Sequence, residues 1–159
     1  MSPEPRPDLL DNNRLKSQAV HPMLVGLPLG LFATSVVFDL IDLATRTGAF
    51  NVPAYWLIAA GVLGGLVAAP FAYLEWRQVP RGSRARRVGA LHGVGNALVL
   101  LLFACSWFLR VPEARVPDEA LLLSLAGAAF AVFTAWLGGR LLAGLGRREK
   151  GGDRAAGAH

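Results

Sequence analysis

The chain is 159 residues long, 53% hydrophobic and only 17% charged, against about 25% charged residues in an ordinary soluble domain. Its net charge of +5 comes from basic residues that flank apolar runs, which speaks for membrane topology and anionic-lipid contacts and against a nucleic-acid partner. The single cysteine, Cys105, excludes an internal disulfide, a CxxC metal site and a CxxCH haem attachment.

In chain order, residues 1–18 are polar and proline-bearing and read as a disordered cytoplasmic tail. They do not read as a signal peptide: their charge is mixed, the apolar run behind them is too long, and no small-residue cleavage site closes it. Four apolar runs follow, at residues 22–43, 54–76, 88–109 and 120–140. Each supplies the roughly 20 residues that a helix needs to cross the hydrocarbon core. Together they predict an all-α, four-helix transmembrane domain over 19–142. Pro22 suits a first helical turn, whereas Pro28 and Pro70 lie inside spans and predict kinks. Gly61 and Gly65 form a GxxxG step that permits close helix approach, including approach of a second copy. Residues 143–159 read as a second disordered tail.

The stretch 76–96, WRQVPRGSRARRVGALHGVGN, sets the orientation. Arg77, Arg81, Arg84, Arg86 and Arg87 crowd the loop between the second and third spans. The N-terminal tail and the C-terminal segment carry most of the remaining basic residues, and the two other loops hold only Arg46, Arg110 and Arg115. Positive charge stays on the cytoplasmic side, so both termini and the central loop are expected there. Tyr55, Trp56 and Trp107 fall at one interface and Tyr73, Trp76 and Trp136 at the other, as an aromatic belt requires.

The first and third spans align from their histidines. HPMLVGLPLGLFATS from His21 lies over HGVGNALVLLLFACS from His92. The second and fourth spans do not align convincingly at that offset. The alignment predicts two helical hairpins related by an axis along the membrane normal. It places His21 and His92 at one depth near the cytoplasmic face, and Asp39 level with Arg110 near the other.

Intramembrane ionisable residues are costly and call for a partner. An Asp39–Arg110 structural ion pair accounts for both, with Arg46 as a competing partner for the carboxylate. Ser35, Ser106, Ser124 and Thr134 can bond between helices or to their own backbone. His21 and His92 have three readings: interfacial histidines bonded to backbone, lipid or water; a ligand pair for b-type haem or a metal; or a proton-linked switch. Asn96, four residues after His92, lies on the same helical face and could fix its tautomer, and Glu75 could join as a supporting carboxylate.

AVHPMLVGLPLGLF, then FDL around Asp39, then LEWRQVPRGSRARRVGALHGVGN resemble the bacterial membrane family named domain of unknown function 2231, over about residues 19–140. Glu75 stands where that family usually has Asp before Trp. The resemblance implies a bacterial inner-membrane location. Relatives fused to Rieske or cytochrome domains imply a link to electron transfer and a redox partner protein. The residues themselves contain no Ser–His–Asp set, HExxH or P-loop, so no enzyme activity is expected. The functions left open are a cofactor-linked electron-transfer module with His21 and His92 as ligands, a non-catalytic scaffold or assembly subunit, and a small proton-linked transporter using Asp39.

Overall fold

The computed structural model describes residues 8–112 and 114–136, with side chains from Gly26 onward. It contains four helices: α1 (Asp8–Thr45), α2 (Asn51–Gln78), α3 (Arg84–Phe108) and α4 (Asp118–Trp136). All four carry a stretch long and apolar enough to cross a membrane, and no strand occurs among the described residues. The expected end of the fourth span at 140, and the tail behind it, lie outside the described residues.

The element ends follow from local chemistry. α1 runs from Asp8 and so is already helical well before Pro22, since residues 8–21 hold no proline or glycine to break it. α2 starts three residues earlier than the apolar run. Pro53 sits in its first turn, where a missing N–H leaves no helix bond unmade. It stops at Val79, which is extended at ψ 131° because it precedes Pro80. The chain turns through Pro80–Ser83 with Gly82 at φ +83°, a conformation that glycine adopts without steric cost. Ser83 then caps α3, its hydroxyl accepting from the Arg86 amide at 3.2 Å. α4 opens with Asp118 and Glu119, acids that complement the positive end of the helix dipole.

The centre of the bundle is an aromatic stack. Phe32 of α1 and Phe103 of α3 lie with ring centroids 4.1 Å apart and nearly parallel. Val36, Ile58 and Val99 complete the buried cluster. Each ring sits in a glycine notch. A Cβ added at Gly61 of α2 would meet the Phe32 ring at 2.5 Å, and one at Gly127 of α4 would meet Phe103 at 2.9 Å. The GxxxG step is therefore used inside the chain. Gly61 takes Phe32, and a Cβ at Gly65 would lie 2.7 Å from Leu100 of α3.

These contacts extend the repeat to all four helices. Phe32 and Phe103, Ser35 and Ser106, and Asp39 and Arg110 are each separated by the same 71 residues, and all six are buried. Gly61 corresponds to Gly127, and the fully buried Ala54 and Ile58 of α2 to Ala120 and Ser124 of α4, at a shorter separation. The offset shrinks because α1 runs on past Asp39 to Thr45, whereas α3 has ended at Phe108 before Arg110. A search at one constant offset misses this.

Candidate functional site

At one end of the bundle a charged cluster ties three helices. Arg110 stands just past the end of α3, where Leu109 closes the helix through the Cys105 carbonyl and the Arg110 amide bonds to the Trp107 carbonyl. Its guanidinium reaches Asp39 on α1 through two parallel bonds, Nη1 to Oδ1 and Nη2 to Oδ2, both 2.7 Å. Both side chains are 2% exposed. Such a fork-on-fork pair is the strong form of a charged hydrogen bond. Arg110 Nε also donates to Ser106 Oγ at 3.2 Å, and Nη2 to Ser106 and Ser124 Oγ at 3.2 Å each. Ser106 passes its own hydrogen to the Ala120 carbonyl of α4 at 2.6 Å. Ser124 Oγ lies 3.0 Å from the Leu121 carbonyl and 3.3 Å from Asp39 Oδ2.

Arg46 does not compete for Asp39. It sits at φ +54° where α1 ends, with its amide on the Asp42 carbonyl at 2.7 Å. Asp42 serves the same turn, its Oδ1 3.5 Å from the Phe50 amide. Next to the cluster, Asn51 of α2 donates to the Ala114 carbonyl at 3.1 Å and so pins the α3–α4 connection. Two buried atoms at this end, Asn51 Oδ1 and Trp107 Nε1, have no partner among the described residues. The serines of the cluster were visible in sequence only as helix-polar residues. Ser106 could have been placed, since it lies four residues before Arg110 and hence on one face with it. Nothing local to Ser124 points to α1.

At the opposite end the two histidine positions keep the spacing of the repeat. His92 precedes Phe103 by three helical turns, as position 21 precedes Phe32. His92 also lies three residues before the buried Gly95 and seven before the buried Val99. Yet His92 and Asn96 are both exposed. No hydrogen bond joins their side chains among the described residues. The side chain of His21 lies outside the described residues. Glu75, exposed on the last turn of α2, is at the same end and is already engaged in an interaction. No cluster of three or more metal-ligating His, Cys, Asp or Glu occurs among the described residues.

Four apolar spans around a stacked aromatic core, with a buried ion pair bridging the halves, define a four-helix integral membrane protein. Residues 17–149 match the family model described as "Predicted membrane protein (DUF2231)". The chain belongs to that family. No curated protein and no solved structure matches it.

Proposed function

We propose that the protein is a non-enzymatic membrane module with a structural end and a working end. The Asp39–Arg110 cluster is the structural end, and His21 with His92 forms the working end, where the two imidazoles hold a b-type haem or a metal for electron transfer with a partner protein. One observation carries this reading. The two histidine positions stand three turns before Phe32 and Phe103, the residues that stack face to face between α1 and α3. Symmetry-related donors above a two-fold contact suit a ligand that accepts one imidazole from each half. When bound, such a group would supply one-electron chemistry. His21 and His92 would supply the imidazole nitrogens that hold it, and the exposure of His92 leaves the position open to a partner.

The exposure of both His92 and Asn96 favours a second reading, an assembly scaffold in which the histidines are interfacial. A transporter built on Asp39 is the weakest, since both carboxylate oxygens are held by Arg110. An absorption spectrum of protein purified from haem-replete cells, with metal analysis, separates the first two. The cofactor reading predicts a Soret band or stoichiometric metal, lost or shifted in His21→Ala and in His92→Ala. Colourless, metal-free, well-folded protein leaves the scaffold.

The same reading puts both termini and the 79–83 loop on the cytoplasmic side of the inner membrane, supported by the arginine bias. A reporter fused after Arg148, or inserted between Gly82 and Ser83, is expected to signal only from the cytoplasm. Signal from the opposite side overturns the orientation.

A further inference from the structure

The arginine loop divides into residues used by the fold and residues left over. Arg86 is used. Its Nη1 donates to the Val79 carbonyl at 2.8 Å, and its guanidinium lies 4.2 Å from the centroid of the Trp76 ring. The Trp76 indole N–H in turn donates to the Arg86 carbonyl at 3.0 Å. Arg77 lies over the Tyr73 ring at 5.9 Å. The side chains of Arg81, Arg84 and Arg87 are exposed and make no hydrogen bond or ion pair with another described residue.

Their placement breaks a local rule. The first turn of α3 holds no acid, and Arg84 and Arg87 stand there on one helical face. Cations at a helix N-terminus oppose its positive dipole end. Arg81 adds a third like charge from the adjoining turn, which is held rigid by the Ser83 amide on the Pro80 carbonyl at 3.3 Å and by the Ser83 hydroxyl on the same carbonyl at 2.8 Å. A rule broken without compensation from the described residues points to compensation from outside them.

The depth says what supplies it. α2 has 28 residues, about 42 Å of helix against a hydrocarbon core of about 30 Å. Tyr73 and Trp76, with ring centroids 5.9 Å apart, mark the headgroup level. Trp76 bonds the Arg86 carbonyl and packs on Gly89, so Arg87 is level with it and Arg81 and Arg84 lie just beyond, at the depth of lipid phosphates, whose oxygens guanidinium matches in a two-pronged geometry. We propose that Arg81, Arg84 and Arg87 form a binding surface for the phosphate of an anionic phospholipid headgroup. This surface depends on the spanning fold and not on the histidine reading.

The test is thermal unfolding of the full chain in neutral detergent with added phosphatidylglycerol, phosphatidylcholine or glycerol phosphate. Phosphatidylglycerol alone should raise Tm, and the increment should shrink as salt is added. Arg81→Gln/Arg84→Gln/Arg87→Gln should weaken the apparent affinity by about fivefold per arginine, on the order of a hundredfold together. Arg86→Gln should lower Tm in every condition and keep the increment. The proposal is overturned if phosphatidylcholine matches phosphatidylglycerol, if glycerol phosphate alone reproduces the effect, if the triple variant responds like the parent chain, or, with no variant needed, if high salt leaves the increment intact.

Discussion

Asp39→Ala is expected to destabilise the protein more than Asp39→Ala combined with Arg110→Ala. The two groups are 2% exposed and joined by two 2.7 Å bonds. Removing the carboxylate leaves a guanidinium in a poorly hydrated place with only hydroxyl partners, Ser106 and Ser124. Breaking a buried pair in this way costs about 3–5 kcal/mol. Removing both charges avoids the uncompensated ion, and replacing the pair by apolar side chains of similar volume is often neutral or stabilising. Asp39→Leu with Arg110→Met should therefore recover most of the loss. Unfolding of the four variants in detergent, analysed as a double-mutant cycle, reads the coupling. Additive costs would show that the pair contributes nothing as a pair. Ser124→Ala should cost less than either charge removal, since Ser106 still donates to the α4 backbone and still faces Arg110.

The second large effect concerns the glycine notches. Gly61→Ala places a methyl 2.5 Å from Cε1 of Phe32 and 2.8 Å from Cδ1. Phe32 cannot simply swing away, because its ring is stacked face to face on Phe103. Overpacking of this kind costs about 1–3 kcal/mol. Gly127→Ala should cost less, its closest approach to Phe103 being 2.9 Å. Shortening the ring that fills each notch should relieve the strain, so Phe32→Leu should be less harmful in the Gly61→Ala background than alone. Gly30→Ala is the control. Nothing lies within 4 Å of a Cβ there, and alanine is favoured over glycine in a helix by up to about 1 kcal/mol. Equal Tm losses at Gly61 and Gly30 would show that the notch is not what matters.

Much of this protein is legible in its sequence. Four apolar runs of membrane-spanning length predict four helices, because a backbone in hydrocarbon must satisfy its own hydrogen bonds. The helix ends are not so legible: the expected spans at 54–76 and 88–109 fall short of Gln78 and Arg84, where Pro80 and the Ser83 cap set the boundaries. The Asp39–Arg110 pairing was open to inference because two charges that share a repeat position and a depth in an apolar medium have few other partners. Other features needed the tertiary structure. That Gly61 receives Phe32 depends on which face of α2 turns inward, and an all-round apolar helix does not encode that in its periodicity. Ser124 joins Asp39 from across the bundle, a contact between residues 85 positions apart. The split between Arg86, spent on Trp76 and Val79, and Arg81, Arg84 and Arg87, left exposed, is invisible in a run of like residues. The physical reason is the same in each case: sequence carries length, polarity and local capping, whereas a long-range contact depends on how helices rotate and pack against one another.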